Sequence, residues 1–336
     1  MTVSLNESSA AFTRRLVDFL WDQWSTLGLA GYAQAASTRI SDPEAMLLLT
    51  TRIGRHDSRL FDETLDWLRA NGSWINLQRL RHLLKEYPFA DTAVLGAMAE
   101  CLALKGGSPK WKLLLHHLPE PPVREPEPFF LSSAFFGEPH PVFAKWGFLR
   151  GSLEFRRMSQ PPRTDQPAAF LFKLRALFGN QARAEVMAWL LTHESGHPAE
   201  IARQVGYLGR TVQSVLNELA ESGHIHALRI GREKYFTLRH DDWRFLLNWS
   251  GEREFPRWTH WAATFQAILQ LQDALAQPGL DGKSDRFQAI KLREALELAL
   301  PALARAGIAT QFRTTPDLRG ADLVHSLLAD LDTLLG

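Results

Sequence analysis

The sequence predicts a mainly α-helical protein carrying one small β-hairpin, and three observations predict it. Apolar residues recur at helical spacing along most of the chain. Two short β-type runs lie side by side, Ile225–Ile230 and Lys234–Leu238, and they are the clearest strand signals present. A proline-dense stretch, Leu118 to Pro128, forbids helix and separates a helical N-terminal part from the rest.

The first helix is expected over residues 12–29, where Phe12, Leu16, Phe19, Leu20, Trp24 and Leu27 share a face. Asp42-Pro43-Glu44 reads as a helix start, with Asp as cap and Pro at the first helical position. A helix over Ser58–Ala70 turns Leu60, Phe61, Leu65 and Leu68 inward and stops at Asn71-Gly72. Two more are expected over Leu77–Glu86 and Asp91–Lys105, the second ended by Gly106-Gly107. Their order leaves a degenerate second winged helix open, but no basic hairpin follows, and an all-helical support domain is the favoured reading.

Beyond the prolines, the phenylalanine-rich segment 129–155 reads as packed irregular chain or short strands, because its rings need burial. A helix from Pro167 carries Ala168, Leu171, Leu174 and Leu177 to Phe178-Gly179. After residue 240, Trp258, Trp261, Phe265, Ile268, Leu269 and Leu275 form an apolar stripe, followed by helices over 285–305 and 320–335. The expected domains are a helical one over 1–118, a connector and aromatic packing segment over 119–178, a helix-and-hairpin unit over 179–240, and a helical dimerisation or sensing domain over 241–336.

The 336 residues are 45% hydrophobic, enough for a large core and, by length, roughly two or three domains. The 38 Lys and Arg against 37 Asp and Glu carry no whole-chain nucleic-acid signal, so any basic surface must be local. The lone Cys101 excludes an internal disulfide and a cysteine zinc site, and its apolar surroundings make it a small core residue. Met1–Ala11 lacks a signal peptide's apolar stretch and no run reaches the roughly 18–20 apolar residues that span a bilayer, so the expectation is a cytoplasmic protein without membrane contact.

Residues 180–240 carry the functional signal. A helix over Gln181–Leu191 is followed by a short one over Ala199–Val205, with Pro198 in its first turn. Gly206-Tyr207-Leu208-Gly209 supplies a tight turn. In the third helix, Arg210–Ser222, the residues Val212, Val215, Leu216 and Leu219 make one buried face, while Arg210, Gln213, Ser214, Asn217 and Glu221 lie opposite. Gly223 suits a left-handed cap, and Gly231-Arg232-Glu233 joins the two strands.

Pro198-Ala-Glu-Ile-Ala-Arg-Gln-Val-Gly206, then Thr211-Val212, Leu216, Leu219 and Gly223, then the Gly-Arg hairpin and Tyr235, resemble the winged helix-turn-helix of MarR- and ArsR-type bacterial transcription regulators. About sixty residues share the pattern. The resemblance implies a third helix in the major groove, with Arg210 pairing guanine and Gln213 or Asn217 pairing adenine. Thr211 and Ser214 would touch phosphate, Tyr207 would sit at the same interface, and Arg229, Arg232 and Lys234 of the hairpin would meet the adjacent backbone or minor groove. The chain departs from the pattern in two ways. Leu208-Gly209 replaces the usual Ser or Thr cap, and residues 180–240 hold seven Arg and Lys against six Glu. The arrangement is also similar to regulators encoded beside bacterial defence or toxin–antitoxin genes.

Other motifs are weaker. His193-Glu194-Ser195-Gly196-His197 spells a zinc-hydrolase signature, but Gly196 and Pro198 oppose the continuous helix it needs. Gly282-Lys283-Ser284 lacks the upstream glycine and strand of a phosphate loop. His116-His117 reads as exposed loop, and Trp21/Trp24 and Trp258/Trp261 as core, with a small apolar effector pocket beside the latter pair as the alternative. The reading is a non-enzymatic, homodimeric repressor that binds double-stranded DNA, with no cofactor and no metal, responsive to a small-molecule or protein effector. An antitoxin or scaffold using the winged helix for a protein partner is the second reading; a zinc metallohydrolase ranks last.

Overall fold

The computed structural model describes residues 5–31, 38–131, 134–247 and 254–334. Six helices form the N-terminal part: α1 (Leu5–Thr26), α2 (Pro43–Ile53), α3 (Ser58–Asn71), α4 (Leu77–Glu86), α5 (Thr92–Leu104) and α6 (Lys110–Leu115). Their starts follow local chemistry. The side chains of Asp42, Asp57, Asn76 and Asp91 accept hydrogen bonds from first-turn amides of α2, α3, α4 and α5, groups that have no partner within the helix. The first helix begins seven residues before the expected Phe12, because Leu5 and Ser9 continue its buried face.

In the segment after the prolines, β1 (Glu127–Pro128) pairs in parallel with β2 (Phe148–Leu149), flanking the short helix α7 (Pro141–Lys145). Phe129, Phe143 and Phe148 of this segment are buried as expected, whereas Phe136 is exposed. Phe129, Phe130 and Phe143 surround the Arg150 guanidinium, which lies 4.8 Å from the Phe143 ring centre and bonds to Asp62. Gly96 of α5 lets the Trp146 ring lie against the helix; a Cβ there would come within 2.2 Å of it.

Next come a 3-10 turn at Pro167–Ala169 and the helices α8 (Phe170–Phe178), α9 (Ala182–Leu190), α10 (Pro198–Val205) and α11 (Gly209–Glu221). The antiparallel hairpin β3 (His226–Ile230) and β4 (Glu233–Thr237) follows, with Arg229 opposite Lys234 and Gly231 at φ 64° in the turn. The chain ends in α12 (Trp261–Leu275), α13 (Asp285–Ala306) and α14 (Gly320–Leu334). The expected last residue of that helix, Leu335, lies outside the described residues.

Two hydrophobic cores organise these elements. The larger takes in α1 to α7, and also α12 to α14, so the segments read as separate N- and C-terminal domains bury their apolar faces together. The second core belongs to α8 to α11 and the hairpin, and it extends past residue 240 through Trp243 and Leu246. Trp258 does not join the α12 stripe. His260 caps α12, and Trp258 lies before it, against the second core, with its Nε1 donating to Gln204. No helix among the described residues is long and apolar enough to cross a membrane.

Candidate nucleic-acid interface

The three helices α9, α10 and α11 and the β3–β4 hairpin stand in the order of a helix-turn-helix with a wing. The turn between α10 and α11 rests on Gly206, which takes a left-handed conformation (φ 73°). A Cβ at this position would also meet the Leu83 side chain at 2.8 Å, so glycine is required twice over. Val212, Val215, Leu216 and Leu219 of α11 are buried. No side chain caps the start of α11, where Leu208 is exposed.

On the outer face of α11, Arg210 is exposed, and no protein group pairs with its guanidinium among the described residues. Thr211 beside it is half-buried. One turn on, Gln213 Nε2 donates to Asn217 Oδ1 at 3.2 Å, and Lys234 Nζ of β4 donates to the same oxygen at 3.0 Å. This ties the wing to the helix. It also leaves the Gln213 carbonyl oxygen as acceptor and the Asn217 amide nitrogen as donor without protein partners among the described residues. Ser214 Oγ donates to Glu218 at 3.0 Å, and Glu218 also pairs with Arg183 of α9.

Strand alternation puts Arg229 and Lys234 on the hairpin face that also carries buried Phe236, toward α11. Lys234 lies 4.8 Å from the Phe236 ring centre. Like charges directly opposite on paired strands repel, and an anion between them would relieve this. Arg232, at the tip, is exposed. Leu228 and Ile230, on the other face of β3, are 45% and 61% exposed.

Tyr207 leaves the set of interface residues. It is only 4% exposed, and its hydroxyl accepts from Asn76 Nδ2 at 2.8 Å and donates to Glu185 Oε2 at 3.3 Å. Burial pushes its ionisation well above the ordinary tyrosine range. The phenol closes a buried polar cluster instead, built from α2, α4, α8, α9 and the turn. Within it Arg79 bonds to Asp42, to Glu44 at 2.7 Å and to the Val205 carbonyl at 2.8 Å. Arg175 bonds to Glu44 at 2.8 Å and to Glu185 at 2.6 Å. Burial raises the Asp42 carboxyl, but the Arg79 charge and the hydrogen bonds from Arg79 and Ala45 outweigh it and hold the group below the usual range. For Glu185 burial wins over the Arg175 and Arg79 charges, and its carboxyl is raised.

Sequence reasoning missed this cluster. The available signal was a charged residue inside an otherwise apolar helical face, as with Arg175 in Phe170–Phe178 and Glu185 in Ala182–Leu190. The near-cancelling charge count of 180–240 also changes meaning. Glu185, one of the six glutamates, is buried, so it does not oppose the seven cations at the surface.

The zinc-hydrolase motif does not form its helix. Residues 191–197 are turn and extended chain, with Gly196 bridged to Phe236. The His193 ring stacks on Trp189 at 3.9 Å, while His197 Nδ1 caps α10 through the Ala199 amide. No cluster of three or more metal-ligating side chains occurs among the described residues. No protein-family model, curated protein or solved structure matches the chain.

Proposed function

We propose that the protein is a sequence-specific double-stranded DNA-binding regulator, not an enzyme, that reads the major groove with α11 and grips the flanking backbone with its wing. The observation that carries this reading is the joint placement of an exposed Arg210 on the first turn of α11 and an acceptor and donor on Gln213 and Asn217 one to two turns on, all without protein partners among the described residues. An arginine offers guanine O6 and N7 a bidentate fork, and a carboxamide acceptor and donor suit adenine N6 and N7. Thr211 flanks this row as a phosphate ligand, Ser214 joins it when its hydroxyl turns from Glu218 to a phosphate, and Arg229, Arg232 and Lys234 line the wing side. Homodimerisation would double the phosphate contacts and place two α11 helices on a palindromic site. Repression by occupancy is the simplest output of such binding, with an effector acting through the helical parts.

A protein partner is the second reading, favoured by one observation: β3 presents Leu228 and Ile230 to solvent on an edge strand. Fluorescence anisotropy on DNA from the gene's own upstream region, at two salt concentrations, separates the two. For the DNA reading, Arg210→Ala weakens specific binding by about 1–3 kcal/mol. Weak binding indifferent to sequence and to Arg210 would transfer the assignment to the protein-partner reading.

A further inference from the structure

The groove beside the α10–α11 turn extends the proposed interface onto the N-terminal helices. Its volume is about 640 Å³, and Gln78, Arg81, His82 and Lys85 of α4, His117, and Leu208 at the start of α11 are among its lining residues. No carboxylate lines it among the described residues. The neighbouring Glu86 is turned to Arg305, 3.7 Å away. Arg81 and Lys85 are exposed, and neither is held in an ion pair among the described residues.

Their presentation is fixed by the core. Leu80, Leu83 and Arg79 turn the opposite face of α4 inward, where Arg79 holds the Val205 carbonyl and Leu83 packs on Gly206. Gln78, Arg81, His82 and Lys85, at i, i+3, i+4 and i+7, are thereby left along the groove. The buried cluster under the turn makes α4 and α11 one unit, so the cations of α4 stand at a set place relative to Arg210.

We propose that α4 is a second phosphate-contacting element, with Arg81 and Lys85 gripping the DNA backbone next to the stretch read by α11. The inference rests on the DNA-binding reading above and deepens it. Charge is the first argument, since the groove gathers cations without a carboxylate. Spacing is the second. Four residues of α-helix advance about 6 Å, and each strand of a duplex carries a phosphate about every 3.4 Å of axis. The two side chains are therefore spaced by nearly two phosphate steps, so each can reach its own phosphate on one strand. Continuity is the third, because Leu208, on the groove wall, is followed two residues later by Arg210. The extra cations also answer the modest charge of the winged helix, which gains backbone contacts from a segment more than a hundred residues earlier.

The test is equilibrium binding of the full chain to a duplex of random sequence, of about 30 base pairs, between 50 and 200 mM salt, the range over which phosphate contacts are weighed. Each lost phosphate contact lowers the slope of log affinity against log salt by about 0.9, so the double variant Arg81→Gln, Lys85→Gln should lose about 1.8. Its urea midpoint should equal that of the wild type, because both side chains are exposed. A single Arg81→Gln variant should lose about half as much slope, about 0.9. If the wild type binds with a salt slope that the double variant leaves unchanged, the groove lies off the DNA and this proposal fails while the winged-helix reading stands. If the wild type shows no salt-sensitive duplex binding, the DNA reading itself fails and this inference with it.

Discussion

Replacing Arg79 by Met should destabilise the protein by about 3–5 kcal/mol, the range for removing one partner of a buried ion pair. The structure explains why the cost lies there and not near zero. Arg79 is almost wholly buried, and it serves two carboxylates and a main-chain carbonyl at once. With it present, the cluster sets the two guanidinium groups of Arg79 and Arg175 against the carboxyls of Asp42, Glu44 and Glu185. Without it, Asp42 keeps only the Ala45 amide in a largely buried site, and Arg175 is left to balance Glu44 and Glu185. Methionine fills the space of the alkyl stem but offers no donor. Urea unfolding, followed by circular dichroism, measures the loss as a lower midpoint at unchanged slope. Adding Asp42→Asn to Arg79→Met should cost less than the sum of the two single changes, by about 0.5–3 kcal/mol, because one interaction is being removed twice. A loss below about 1 kcal/mol for Arg79→Met, the scale of an exposed pair, would refute the reasoning, since it would mean that water solvates these carboxylates.

Two further outcomes follow from particular contacts. His260 caps α12 by accepting the Ala263 amide on Nδ1, so its Nε2 carries the proton and faces the Arg203 carbonyl at 3.0 Å and the Tyr87 hydroxyl at 2.9 Å. Burial lowers its ionisation to about 4, against about 6.5 in an unfolded chain. As pH falls the unfolded chain takes the proton first. The contribution is thus intact above pH 6.5 and falls by about 3 kcal/mol on the way to pH 4, and the stability difference between wild type and His260→Asn should shift by that amount over the window. Unfolding midpoints at both ends check it, and a difference independent of pH would show the imidazole to be solvated. Tyr207→Phe keeps the ring and deletes the hydroxyl. It should cost about 1 kcal/mol in the same urea assay and leave DNA affinity unchanged, whereas a loss of affinity would return Tyr207 to the interface.

Much of the local structure was legible in the order of residues, because it depends on neighbours a few positions apart. The cap and proline at Asp42-Pro43, the turn at Gly206 to Gly209, the buried face of Val212, Val215, Leu216 and Leu219, and the hairpin with Gly231 all lie within single turns or adjacent strands. Strand limits moved by a residue, since pairing and not propensity ends a strand. The outward row of Arg210, Gln213, Ser214 and Asn217 follows from the same helical period.

Tertiary structure decided what periodicity does not address. Tyr207 lies in a loop beside a polar helix face, and the sequence there reads as exposed. Only the approach of α4 carrying Asn76, and of α9 carrying Glu185, buries its hydroxyl. The merging of N- and C-terminal helices in one core depends on apolar stripes that are equally good partners for any other stripe, because hydrophobic burial is not directional. The same holds for charge. Counting cations along residues 180–240 gives near neutrality, whereas folding buries Glu185 in the cluster beneath the turn and brings Arg81 and Lys85 to its rim. Sequence alone therefore determined most of the helices, the turn and the buried face of α11, but not the short helices α6 and α7 or the place of Trp258. Which distant charges share a surface was decided by packing, because electrostatic partners are chosen by distance in space and not by separation along the chain.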